Sequence, residues 1–252
     1  WVLSFKEGFL ALRGSDFLKI EKIDDNSWQS TVLLSKVERI LDIVLDEIFL
    51  IHENSFVTHD LNDLWDDKPY SVSIPIIEDE YPVAVSPDKA TVHSVHSVFR
   101  ESFSKVIVHH TIYLDQVIEN AVNRGMSNGD INSQYCFVRH YKFALEKILS
   151  TKVLNNEPLD SILELIDLYD LDSGKPLNNS GKLEIISNCL RKIETKHWDH
   201  LFANLKLSPK DLLSQCIDQN QARILGVLLM VFLNYEGDPT EIDAQEQSKK
   251  TN

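Results

Sequence analysis

The apolar positions change period once along the chain, and the change divides it. Up to residue 103 they recur at short, strand-like spacing. Trp1, Val2, Leu3 and Phe5, then Gly8 to Gly14, then Phe17, Leu18 and Ile20 predict short strands joined by glycine-bearing turns, and residues 28–34 predict another. Such strands cannot stand alone: they close with later segments or form the edge of a larger sheet assembly. Residues 35–50 carry two patterns. Val37, Ile40, Leu41, Val44, Leu45 and Ile48 fit a helix, while the β-branched content of 41–51 fits a strand. Residues 56–65 and 70–85 read as strands, with Pro69, Pro75, Pro82 and Pro87 marking edges and turns. Thr91, Val92, Val95 and Val98 end the β-rich part.

From residue 104 the period is helical. Residues 104–124 set Ile107, Thr111, Leu114, Val117, Ile118, Ala121 and Val122 at helical spacing, with Gly125 as C-terminal cap. A polar loop over 126–133 precedes a helix over 135–154. In that helix Phe137, Tyr141, Ala144, Leu145, Ile148 and Leu149 face inward, and Glu146 to Ser150 lie over the outer side. Pro158 starts a shorter helix with Ile162, Leu163, Ile166 and Leu168, and residues 170–181 form a linker rich in Asp, Gly, Asn and Pro.

Residues 182–233 organise the helical part. Leu183, Ile186, Leu190 and Ile193 share helical spacing, as do Trp198, Leu201 and Phe202. Ser208-Pro209-Lys210-Asp211 predicts a helix start: the Ser208 hydroxyl caps, Pro209 takes the first helical position and Asp211 sits near the positive end of the dipole. Leu212, Leu213, Cys216 and Ile217 follow on one face. Residues 224–233 are almost uniformly apolar, which predicts a helix covered on most sides, the buried spine of the stack. Leu228 and Phe232 are its expected core positions. From Gly237 the chain is polar, and a disordered tail is expected. The fold class is α+β: a β-rich segment over 1–103, an α-helical solenoid or irregular bundle over 104–236, and a tail over 237–252. No fixed repeat period names a repeat class.

Composition narrows the function. A chain of 252 residues with 43% hydrophobic content can form one large core or two modest ones. Its 25 Lys and Arg stand against 39 Asp and Glu, a net charge of -14. No basic stripe is visible, and Lys142, Lys147 and Lys152 are ordinary helix-face residues, so no nucleic-acid partner is expected. Cys136, Cys189 and Cys216 are odd in number and far apart, which excludes a disulfide framework and fits a reducing, cytosolic setting. The longest apolar run, 224–233, is about half of the roughly 20 residues that a spanning helix needs. No secretory signal is seen, and the opening Trp1 reads as the start of a fragment. The junction Trp65-Asp66-Asp67-Lys68-Pro69, and another near Glu101, lack turn signals and read as places where mobile loops are missing from the sequence.

Candidate chemistry is sparse. His93 and His96 face opposite sides of a strand, and the neighbours His109 and His110 diverge on a helix, so neither pair converges on one ion. His197 and His200 share a helix face without a zinc-protease spacing. Asp60 and Asp63, Asp66 and Asp67, Glu78 to Glu80, and Asp167, Asp170 and Asp172 read as solvated faces and turns, and the last group lacks the periodicity of a calcium loop. Phosphate loops, dinucleotide fingerprints and serine elbows are absent. Trp198, Phe202 and Phe232 read as core, and Tyr113 and Tyr141 as half-exposed. Catalytic, cofactor-binding and metal residues are each expected to be none, and no cofactor is expected. A hydrolytic reading through His59, Asp63 and Asp66 would need these residues to converge in a pocket.

Several segments resemble one family. Residues 140–149, His-Tyr-Lys-Phe-Ala-Leu-Glu-Lys-Ile-Leu, resemble an aromatic-bearing helix of the Ric family. Asn188-Cys189-Leu190-Arg191-Lys192 followed by Trp198-Asp199-His200-Leu201-Phe202 is similar to a second family segment, and residues 208–216, Ser-Pro-Lys-Asp-Leu-Leu-Ser-Gln-Cys, to a third. Asp63-Leu64-Trp65, Ile74-Pro75 and Tyr81-Pro82-Val83-Ala84-Val85 resemble its strands, and Val108-His109-His110-Thr111-Ile112 the helix that opens its helical region. The resemblance touches most of 60–233 and is strongest for the yeast-type member. Leu213 stands where the family has a phenylalanine, and Leu190-Arg191-Lys192 replaces an Ala-Arg-Lys run; both look like packing positions.

The family is the larger subunit of a two-subunit guanine-nucleotide exchange factor for a Golgi Rab GTPase. The resemblance therefore implies the end of a β-propeller followed by the start of an α-solenoid. It also implies a smaller arrestin-like partner subunit, a Golgi Rab, and peripheral attachment at the cytosolic face of the Golgi in endosome-to-Golgi retrograde transport. Exchange works by differential binding to the nucleotide-free GTPase, so it needs no catalytic triad or metal. A coat or tethering-complex subunit, with the same propeller-and-solenoid plan and no exchange activity, is the competing reading.

Overall fold

The computed structural model describes residues 1–44, 46–53, 55–68, 71–74, 79–86, 89–100, 103–172 and 181–236. The chain divides into two compact units, Trp1–Asn120 and Ala121–Asn252.

The first unit holds three antiparallel sheets. Strands β1 (Val2–Phe5), β2 (Gly8–Arg13), β3 (Asp16–Asp24) and β4 (Ser27–Leu34) form the first, in sequence order. Its strands follow the predicted ones; Gly14, at φ +63°, makes the turn from β2 to β3, whereas the turn from β1 to β2 holds Lys6, not a glycine, at φ +48°. Gly8 is required for space: a Cβ there would lie 2.2 Å from the Ile20 carbonyl oxygen and 2.9 Å from the Trp65 ring.

Strands β5 (Val37–Val44), β6 (Glu47–His52), β7 (Ser55–Asp60) and β8 (Ser71–Ser73) form the second sheet. Of the two patterns over 35–50, the strand prevails, because Ile48, Leu50 and Val37 pack with Leu10, Phe17, Val57 and Leu64 in one core. The strand expected over 56–65 stops at Asp60, whose carboxylate accepts from the Asn62 and Asp63 amides at 2.8 and 3.0 Å and starts the short helix α1 (Leu61–Trp65).

Strands β9 (Tyr81–Ser86), β10 (Thr91–Arg100) and β11 (Phe103–Ile112) form the third sheet. Here the sequence reading is corrected. Residues 104–112 are a strand paired along its whole length with β10, and the helix α2 (Leu114–Asn123) begins ten residues later than 104. Val106, Ile107, Val108, Thr111 and Ile112 are β-branched, and pairing with β10 overrides the helical spacing. Gly125, at φ +80°, ends α2 as expected, its N–H donating to the Val122 carbonyl at 3.0 Å.

The second unit is an α-helical solenoid. Its helices are α3 (Asn128–Tyr135), α4 (Tyr141–Leu154), α5 (Asp160–Asp172), α6 (Gly181–Lys192), α7 (Trp198–Leu205), α8 (Pro209–Asp218) and α9 (Ala222–Glu236), with a short 3-10 turn over Thr195–His197. Neighbours stack: α4 on α6, α5 on α3 and α6, and α9 on α8 and α6. Residues 128–133, read as part of a polar loop, are helical in α3 because Ser127 caps them, and the helix expected from 135 begins instead at Tyr141. The expected cap at Ser208 is present as a reciprocal capping box with Asp211, and Pro209 opens the helix.

Four burial expectations are corrected. Phe137 is exposed, whereas Tyr113 and Tyr141 are buried. Glu146 and Ser150 are buried between helices instead of lying outside. Helix α9 is not a spine covered on most sides: Ile224, Leu228 and Val231 are buried, but Leu229, Met230 and Leu233 face solvent, and Phe232 is only partly covered. In the suspected junction over 65–69, residues 65–68 end α1 and form a turn, with the Lys68 N–H donating to the Asp63 carbonyl at 2.9 Å, although the sequence carries no turn signal there. Pro69, Glu101, residues 173–180 of the linker and the tail from 237 lie outside the described residues.

Candidate interaction site

The polar side chains considered as candidate chemistry are tied into the fold. On β10 and β11, His93 and His110 are cross-strand partners with ring centroids 4.5 Å apart, edge to face. The Ser86 hydroxyl lies 2.6 Å from His93 Nε2. Burial is the main cause holding the His93 imidazole below its usual range, with His110 and Lys89 adding to it. On the opposite face, His109 Nδ1 is 2.9 Å from Glu80 Oε1, and Ser94 Oγ donates to Glu80 Oε2. The sequence did not reveal this grouping, because it joins a loop residue to two strands through long-range register.

His96 and His200 bond backbone carbonyls, those of Asp79 and Glu157, at 3.1 and 3.0 Å. Asp66 pairs with Lys6 at 3.1 Å on the surface, while His59 is buried in β7. A groove of about 340 Å³ nearby is lined by Lys6, Glu7, Glu21, Lys22 and Trp65, and so includes none of the three residues of the hydrolytic reading. Asp167 pairs with Lys182, whose backbone N–H donates to Asp170 at 3.2 Å. Among the described residues, no three His, Cys, Asp or Glu side chains are placed to hold a metal ion.

The strongest polar node lies between α4 and α6. Glu146, one helical turn after Lys142, turns inward because α6 brings two donors to it: Lys192 Nζ and, at 2.9 Å, Asn188 Nδ2. Ser150 Oγ returns to the Glu146 carbonyl at 2.8 Å. Beside them, burial pushes the Cys189 thiol up to about 11, and the Glu146 charge acts in the same direction. Such a thiol is protonated at neutral pH and is packing, not a nucleophile. Lys142 adds a second tie between the same helices, 2.8 Å from Glu184. The lysines read as plain helix-face residues thus include one that clamps the stack, and Lys152 pairs with Glu157 at 3.0 Å.

What these helices leave open is apolar surface. A groove of about 350 Å³ runs between the end of α6, the start of α7 and α9, lined by Leu190, Ile193, Trp198, Val227, Met230 and Val231. Gly226 lies on its wall, with nothing within 4 Å of where a Cβ would stand. The buried Trp198 Nε1–H has no acceptor among the described residues. Leu229, Met230 and Leu233 extend the apolar area along α9, and Ile217 of α8 is also exposed. No helix among the described residues is long and apolar enough to cross a membrane.

The chain thus joins antiparallel sheets to a helical stack that carries an open apolar face on α9. Residues 113–250, more than half of the chain, match the RIC1 C-terminal alpha solenoid region, a match that begins where the last strand ends. The chain is also 27% identical over 110 residues to the guanine nucleotide exchange factor subunit ric1 of Schizosaccharomyces pombe, covering 43% of this chain and 10% of that protein. The chain belongs to the RIC1 family.

Proposed function

We propose that this chain is a scaffold region of the larger subunit of a guanine-nucleotide exchange factor for a Golgi Rab GTPase. The observation that carries the reading is the family match over 113–250, which falls on the helical stack and its open apolar face. In this reading the sheets are consecutive blades at the end of a β-propeller, and the helices from Leu114 to Glu236 begin the solenoid. The stack positions surfaces that bind a smaller arrestin-like subunit and, with it, the GTPase. Exchange follows from binding the nucleotide-free GTPase more tightly than the GDP-bound one; no side chain here forms or breaks a bond. The complex acts as a peripheral protein at the cytosolic face of the Golgi in endosome-to-Golgi retrograde transport.

The test is release of mant-GDP from a panel of Rab GTPases by the full-length protein, purified with and without its accompanying subunit. Acceleration on one Golgi Rab supports the reading. No acceleration on any Rab by a folded complex favours a coat or tethering subunit instead.

A further inference from the structure

The positive end of a helix favours acidic residues, and α2, α3 and α5 to α8 each place one in the first turn. α4 has Lys142 there instead, and Glu184 of α6 neutralises it at 2.8 Å. α9 departs from both arrangements. Its first turn holds no acid, and Arg223 in that turn makes no ion pair among the described residues. Arg223, Val227, Met230 and Asn234 recur at helical spacing, so this cation heads the stripe that forms one wall of the groove between α6 and α9. Arg191, also without an ion-pair partner among the described residues, stands on the α6 wall. In a chain with a net charge of -14, the apolar strip thus has a free guanidinium group on each side.

The strip itself has the composition of an interface. Met230 is 62% exposed, Trp198 lines the groove beside it, and arginine, tryptophan and methionine are the residues that interfaces between proteins favour. Gly226 leaves its part of the wall open. No atom lies within 4 Å of where its Cβ would stand, so no packing among the described residues calls for a glycine, although glycine weakens a helix interior. The apolar walls offer an entering backbone almost no hydrogen-bond partners. That suits a helix, whose backbone bonds are internal, better than an extended strand.

We propose that this groove docks an amphipathic helix of a separate protein, its apolar stripe seated between α6 and α9 and its acidic flanks meeting Arg191 and Arg223. Charge complementarity selects this occupant. Where charge enters helix contacts inside the stack, it is neutralised within the chain, as in Glu146 with Lys192 and Lys142 with Glu184. Free cations beside an apolar centre are instead the polar rim that an opposite charge on another molecule completes. The docking is independent of nucleotide exchange.

The experiment uses the full-length protein, alone and with its accompanying subunit. The probe is a synthetic fluorescent helix with leucines along one stripe and glutamates on both flanks, and its control carries lysines in place of the glutamates. Fluorescence anisotropy is expected to show the glutamate helix binding wild type, less so at high salt, and about tenfold more weakly to the double variant Arg191→Glu, Arg223→Glu. The lysine helix, rejected by wild type, is expected to bind that variant. Gly226→Gln sets a side chain into the open space and suits a helix, so it is expected to abolish binding without lowering the melting temperature. No binding to wild type, equal binding of both helices, or binding that survives Gly226→Gln overturns the site.

The source of the occupant is read from maleimide labelling of Met230→Cys, followed by mass spectrometry. Fast labelling in the protein alone is expected. Slow labelling there at every dilution means that the groove is filled by the same chain, and slow labelling that quickens on dilution means a second copy; either overturns the separate protein. Labelling that slows only when the accompanying subunit is added upholds the docking and assigns the helix to that subunit. Nucleotide release is not read, so a failed exchange reading leaves every one of these outcomes intact.

Discussion

Glu146 on α4 and Lys192 on α6, 46 residues apart, form an ion pair whose carboxylate side chain is 6% exposed while the ammonium side chain is 43% exposed. The Asn188 amide also donates to this carboxylate, and Lys192 Nζ stands 5.4 Å from the Phe143 ring centroid. The pair therefore fixes how α6 lies on α4. Glu146→Ala removes the shared acceptor and is expected to lower stability by about 2 kcal/mol in urea denaturation, within the range for hydrogen bonds to charged groups. Lys192→Met leaves a buried carboxylate with fewer donors, and the double variant is expected to lose less than the sum of the two. Strict additivity would mean that the two side chains do not act together.

Helix α9 separates core from surface by a few residues. Leu228→Asp buries a charge among apolar neighbours and is expected to abolish cooperative unfolding of the helical unit. Leu233→Asp, at a position 65% exposed, is expected to change the melting temperature little. Equal loss in both variants, followed by circular dichroism, would contradict the one-sided burial of α9.

The capping box at α8 has an acid signature. Bonds from the Ser208 side chain and backbone hold the Asp211 carboxyl below its ordinary value. A depressed folded-state value means that its contribution is present above the unfolded value of 3.8 and is lost as pH falls through the lower folded value. Ser208→Ala is expected to lower stability by about 1 kcal/mol at pH 7. The gap from wild type is expected to narrow below pH 4, as read by thermal melts across the acid range.

Cysteine chemistry gives an alkaline counterpart. With the Cys189 value raised from 9.0 to about 11, the thiol favours the folded state fully below pH 9, and that contribution is lost as pH rises through 11. Wild type is therefore expected to lose more stability than Cys189→Ala between pH 8 and 11. Iodoacetamide at pH 8 is expected to label the partly exposed Cys136 while sparing the buried Cys189 and Cys216 in the native protein. Mass spectrometry of the alkylated peptides reads this directly.

Local signals were legible in the sequence, and non-local ones were not. Ser208, Pro209 and Asp211 announce α8 because a cap is made within four residues, and Gly125 announces the end of α2 for the same reason. Residues 104–112 satisfy a helical spacing as well as a strand composition; only the register with β10 decides between them. Glu146 reads as an outward charge until α6 supplies Lys192 and Asn188. The apolar run of α9 reads as buried all round, since composition cannot say that Leu229, Met230 and Leu233 lack neighbours. The segments that resemble the family were recognisable by residue order, and residues 140–149, 188–202 and 208–216 all fall within the matched 113–250.

If this chain is scaffold for nucleotide exchange on a Rab, its open face should matter to that exchange. The decisive measurement is mant-GDP release by the full-length protein with its accompanying subunit, comparing wild type with Met230→Asp and Leu233→Asp on the open face of α9. Wild type is expected to speed release from one Golgi Rab. Folded complexes carrying either surface variant should show reduced acceleration or reduced subunit recovery. An intact wild-type complex that accelerates release from no Rab would refute the scaffold reading.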